Sequence, residues 1–91
     1  MLLSLLKAEG HSMEPIIKNG SFLINSSIPY FFRNPEIDEI IVFRHREKII
    51  VKKIVKIDKD KIFVEGINKL DSKKFDPIYK KNILGKVIWM H

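Results

Sequence analysis

The run Lys48-Ile49-Ile50-Val51-Lys52-Lys53-Ile54-Val55-Lys56-Ile57 constrains this chain more than any other segment. It has no Gly or Pro, and its apolar residues are all Ile or Val. Such β-branched side chains are stiff at χ1 and suit a pleated surface, so the run reads as one long strand. With period two, one face carries Ile50, Lys52 and Ile54, with Lys48 and Lys56 at the ends. The other carries Ile49, Val51, Lys53, Val55 and Ile57. Each face therefore holds one lysine flanked by aliphatics, and periodicity alone does not separate the two. Lysine is rarely buried unless paired. The ordinary solution lays both stems on apolar surface and lifts the ammoniums into water.

Other short runs rich in Ile, Val and Phe lie between turn signals at Asn19-Gly20, Ser26-Ser27-Ile28-Pro29, Asn34-Pro35, Asp58-Lys59-Asp60, 68–72 and Asp76-Pro77. They predict strands over 21–25, 39–44, 61–65 and 83–90, with a hairpin corner at 44–48. Ser12 to Lys18 has room for one helical turn, with Met13, Ile16 and Ile17 on one side. Phe31-Phe32 and Phe43 sit in apolar-patterned runs and read as core. Short strands at this spacing suggest a small antiparallel β-sandwich or barrel with at most one short helix. Ninety-one residues fit one domain, 1–91, with one modest core.

Composition removes several function classes. There is no Cys, so disulfides and thiolate–metal sites are excluded. The histidines, His11, His45 and His91, are scattered and no H-E-x-x-H occurs, so no metal site is expected. The apolar residues of Met1 to Leu6 are broken by Ser4 and ended by Lys7, far short of the roughly 20 a spanning helix needs. No secretory signal is read there either. A net charge of +6 favours anionic partners. The lysines are nevertheless spread along the chain, as on a solvated surface, and no nucleic-acid partner is expected. A small basic nucleic-acid-binding barrel stands as an alternative.

The chemistry lies in Gly10-His11-Ser12-Met13-Glu14-Pro15. This hexapeptide resembles the G-x-S-M-x-P pattern of the type I signal peptidase family. Val51-Lys52-Lys53-Ile54-Val55 is similar to that family's strand bearing a lysine, a second basic residue and two aliphatics. Gly66-Ile67-Asn68 and Asp71-Ser72-Lys73 resemble its Gly-Asp-Asn and Asp-Ser-Arg elements, and Ile83-Leu84-Gly85-Lys86-Val87 its closing strand. The segments occur in the family's order over nearly the whole chain. Ile67, Lys69 and Lys73 depart from the pattern, standing where the family has Asp, often Ser, and Arg.

The resemblance implies the signal-peptidase catalytic-core fold and a Ser–Lys dyad, with Ser12 the nucleophile and Lys52 the base. It selects Lys52 of the two lysines; Lys53 is the fallback. A serine reacts only when a base takes its proton. A lysine serves as that base only if burial among aliphatics disfavours its ammonium. The Ser12 N–H is implied as an oxyanion donor, Gly10 as the site of close approach by a bound peptide, and Met13 as a wall of pockets for small residues. Asn68, Asp71 and Ser72 are implied to support the site. No cofactor is implied.

A Ser-His-Asp triad is disfavoured because Lys52 occupies the position of the base and Glu14 breaks a G-x-S-x-G elbow. His11 reads as a pocket-edge or solvent residue. Self-cleaving SOS-type repressors use similar Ser–Lys chemistry, but eleven residues before Ser12 leave no domain to release. The implied partner is a precursor protein or peptide cleaved as a signal or leader peptide, with peripheral membrane contact through Met1 to Leu6 a further expectation. Typical members act at membranes. A soluble branch resembling nickel-superoxide-dismutase maturation proteases would act in the cytoplasm, so location stays open.

Overall fold

A computed structural model describes residues 2–68 and 75–91. The strands are β1 (Leu3–Lys7), β2 (Phe22–Ser26), β3 (Ile40–His45), β4 (Lys48–Asp58), β5 (Lys61–Glu65), β6 (Ile78–Tyr79) and β7 (Ile83–Met90). One short helix, α1 (Pro29–Phe32), follows β2, and a 3-10 turn (Lys80–Asn82) precedes β7. All seven strands form one sheet in the order β1-β2-β7-β3-β4-β5-β6, and each neighbouring pair is antiparallel. The architecture is mainly β, as the turn spacing implies.

The last strand, β7, enters the middle of the sheet between β2 and β3. Gly85 makes this close approach possible: an added Cβ would lie 2.5 Å from Asn25 Oδ1 and 2.8 Å from the Ser26 carbonyl oxygen. Both faces of β3 are buried. Ile41 and Phe43 pack with Ile54, Ile62, Val64 and Ile78 in one cluster. Val42, pointing the other way, packs with Met13, Ile17, Leu23 and Val87 in a second. Two apolar layers on a single sheet give this small chain its core.

The β4 strand does not alternate throughout. Ile54 faces Val64 but Lys56 faces Phe63, leaving Val55 as the extra residue of a bulge. Ile57 therefore packs on the same cluster as Ile50 and Ile54 rather than on the opposite face.

Other expectations change in detail. The strands read from sequence are present, shifted by a residue at some ends, and β1, α1, β6 and the 3-10 turn are additional. Phe43 is core, but Phe31 and Phe32 are 64% and 86% exposed. They sit on α1, a single turn held by its neighbours' polar contacts. Between Ser12 and Lys18 the Ile17 N–H does donate to the Met13 carbonyl at 2.8 Å. Met13 and Ile17 are buried there, but Ile16 is 51% exposed because one turn has only a narrow inward side.

Candidate active site

The Ser12 loop is fastened at several points. Gly10 has φ +90°, a conformation L side chains rarely adopt, although nothing lies within 4 Å of an added Cβ; the constraint there is backbone angle, not space. Its N–H donates to Asn19 Oδ1 at 3.0 Å. His11 Nδ1 meets Glu14 Oε1 at 2.9 Å, and this contact holds the half-buried Glu14 carboxyl below its ordinary range. The Asn68 N–H donates to the Ser12 carbonyl at 2.7 Å, and Asn68 Nδ2 donates to the His11 carbonyl at 3.0 Å. Ile67, where the resembling family carries Asp, packs on the cluster that contains Met13. An aliphatic there joins the second core.

Lys52 lies opposite Ile41, a fully buried residue of β3. It shares its face with Ile50 and Ile54 and is 7% exposed. Its Nζ is 6.0 Å from the centre of the Phe75 ring. That ring stands edge-on to Phe43 at 5.7 Å and to His45 at 4.9 Å. Lys53 points the other way. Its side chain is 37% exposed and its Nζ is 3.7 Å from Asp38 Oδ1. The structure thus separates the two lysines that periodicity left equivalent.

Ser12 and Lys52 line the same cavity, of about 380 Å³. Leu6 to Gly10 form one wall and Ile49 to Lys52 another, with Met13 and Phe75 completing the apolar surround. Of the residues read from sequence, Gly10, Ser12, Met13 and Lys52 meet here, and Asn68 braces the Ser12 loop. Lys69, Asp71, Ser72 and Lys73 lie outside the described residues. His11 is exposed and is not part of the lining. Phe75 and the Leu6–Glu9 wall were not singled out from sequence. A lone Phe carries no spacing signal, and the wall depends on β1, whose leucines point to both sides. Among the described residues no group of His, Asp or Glu is placed to hold a metal.

Among the described residues the cavity also borders two strand edges. β1 is the terminal strand and pairs with β2 alone. β5 pairs with β4 only from Lys53 onward, so among the described residues Lys48–Val51 of β4 pair with β3 alone. Exposed backbone donors and acceptors of this kind accept an extended peptide as an added strand.

The profile of the Peptidase S24-like family matches residues 3–88, nearly the whole chain. The chain belongs to the Peptidase S24-like family. That family includes members like signal peptidase I, in line with the resemblance carried by Gly10 to Pro15. A search of curated proteins gave no match. Peptidase S24-like membership supports a serine-peptidase type of chemistry.

Proposed function

We propose that this chain is a serine endopeptidase of the signal-peptidase type, using Ser12 and Lys52 as a dyad to cut signal or leader peptides after small residues. The observation that carries the reading is one cavity lined by both side chains, distant in sequence, with the amine buried. Burial disfavours the ammonium, which is what a lysine needs to accept a proton near neutral pH.

In this mechanism the neutral Lys52 amine takes the proton of the Ser12 hydroxyl as Oγ bonds to the scissile carbonyl carbon. The carbonyl oxygen becomes an oxyanion facing the Ser12 N–H; such a donor is worth about 10²–10³ in rate. The C–N bond then breaks and the Lys52 ammonium returns its proton to the leaving amine. Water, deprotonated by the same amine, attacks the ester carbonyl; the C–Oγ bond breaks and the Lys52 ammonium returns the proton to Ser12 Oγ. The substrate lies extended along the outer edge of β1, facing β4 across the cavity. Met13 borders the positions that accept Ala-sized side chains.

The test is cleavage of quenched peptides with alanine at the first and third positions before the cut. Ser12→Ala and Lys52→Ala should abolish turnover while Lys53→Ala retains it. Turnover that survives Ser12→Ala refutes the dyad, and loss with Lys53→Ala alone assigns the base to the wrong lysine.

Peripheral membrane contact is a second element of the proposal. It is supported by the outer face of β1, β2 and β7, where the register aligns Leu5, Ile24 and Trp89 beside the exposed Leu3 and Phe22. No helix among the described residues is long and apolar enough to cross a membrane. Flotation with vesicles of mixed neutral and anionic phospholipid tests the contact, and absence of co-migration refutes it.

A further inference from the structure

The way the Ser12 loop is braced has a consequence for the oxyanion site. The only cis peptide bond among the described residues is Glu14-Pro15, so the bond from His11 to Ser12 is trans. In a trans peptide the C=O and N–H point in opposite directions. Whatever grips the His11 carbonyl therefore aims the Ser12 N–H away from itself. Two donors grip it: Asn68 Nδ2 at 3.0 Å and the Glu14 N–H at 3.1 Å. The next peptide is held by the same residue, since the Asn68 N–H donates to the Ser12 carbonyl at 2.7 Å. The two peptide planes on either side of the Ser12 α-carbon are thus both tied to Asn68, one by its side chain and one by its backbone.

We propose that Asn68 is a positioning residue for the oxyanion site: its side chain fixes the plane of the 11–12 peptide and so the direction of the Ser12 N–H. The inference rests on the Ser12–Lys52 reading above. The residue type fits the task. A carboxamide offers a donor to a carbonyl; an ionised Asp of the same shape would present an oxygen to an oxygen. The backbone tie would persist with any residue at position 68, so only the side chain's share is lost on substitution. Complete loss of an oxyanion donor costs about 10²–10³ in rate. With the Glu14 N–H still on the His11 carbonyl, a drop of about tenfold in kcat is expected.

The experiment compares Asn68→Ala and the near-isosteric Asn68→Asp with the parent on the same quenched peptide. It also measures binding of a peptide aldehyde and of the matching peptide alcohol. The aldehyde carbon bonds to Ser12 Oγ and leaves an oxygen in the oxyanion position; the alcohol forms no such adduct. Both variants should lose about tenfold in kcat and in aldehyde affinity, with KM and alcohol affinity within twofold. Folding is followed by fluorescence of the single tryptophan, Trp89. Aldehyde and alcohol affinities falling together, folded variants with unchanged kcat, or failure of both variants to fold would each overturn the proposal. Retained cleavage in Ser12→Ala refutes the dyad itself. Its loss there, with Asn68 variants unaffected, refutes the positioning role alone.

Discussion

Glu39 offers the sharpest quantitative test of how the fold is held. Its side chain is 10% exposed and faces an unusual number of donors. It accepts from the Tyr30 hydroxyl at 3.0 Å, the Glu36 N–H at 2.8 Å and two Arg33 nitrogens, with Lys86 Nζ 3.3 Å away. Burial alone would raise its pKa. The hydrogen bonds outweigh burial and bring it down from 4.5 to about 2. At 1.36 kcal/mol per pK unit this corresponds to about 3 kcal/mol of stability, before salt screening of the half-exposed Arg33 and Lys86 reduces it. The sign follows from the lowered pKa. The contribution is complete above about pH 5, where the unfolded carboxyl is also ionised, and it is lost as pH falls through about 2. Glu39→Gln should therefore cost about 2–3 kcal/mol at pH 7, or about 10–20 °C in Tm for a domain of this size. Urea denaturation of parent and variant between pH 2 and 7, read by Trp89 fluorescence, isolates the effect as a difference. That difference should be flat above pH 5 and shrink towards pH 2. A difference under 1 kcal/mol at pH 7, or one independent of pH, would refute the reasoning. None of these residues lines the cavity, so peptide cleavage by the folded variant at pH 7 should match the parent.

Phe75→Ala should lower kcat/KM on the quenched peptide, because the ring lies over Lys52 and completes the apolar surround of the cavity; a value equal to the parent's would contradict this. Gly85→Ala should lower stability by about 1–3 kcal/mol, since its Cβ meets the Ser26 backbone at 2.8 Å; a denaturation midpoint equal to the parent's would contradict this. Glu47→Gly should raise stability by about 0.5–1 kcal/mol, because Glu47 sits at φ +69° in the β3–β4 turn, and an unchanged urea midpoint would show the turn to be unstrained.

Strands β3, β4, β5 and β7 are legible in the sequence because each is a β-branched run bounded by turn residues. β1 is not: its leucines carry no β-branching, and Leu3, Leu5 and Leu6 give no alternation, although only Leu6 packs on a core cluster. α1 is hidden for a different reason. Its Phe-Phe pair looks like core, yet the turn is held by Arg33 and Tyr30 reaching Glu39, a contact absent from local pattern. Of the residues that line the cavity, Ser12 and Lys52 are marked in the sequence by motif resemblance. Phe75 is not, because its role comes from packing against Phe43 and His45 on a strand far away in the chain.

The choice between Lys52 and Lys53 shows why strict alternation misleads in a bulged strand. Counted at period two, the Lys53 face of β4 is the richer in aliphatics, with Ile49, Val51, Val55 and Ile57 against Ile50 and Ile54. Burial by count would turn Lys53 inward. The bulge at Val55 reverses the parity, and Ile57 joins Ile50 and Ile54 on the cluster beneath Lys52. Ile54, fully buried two residues away, then fixes which face of the strand points in. Lys53 is left facing the Asp38 carboxylate at the rim. A lysine placed opposite Ile41 occupies a position where an aliphatic would pack without desolvating a charge. In the proposed mechanism that amine is the proton acceptor, which gives its burial on the Ile49–Lys52 wall of the cavity a chemical purpose.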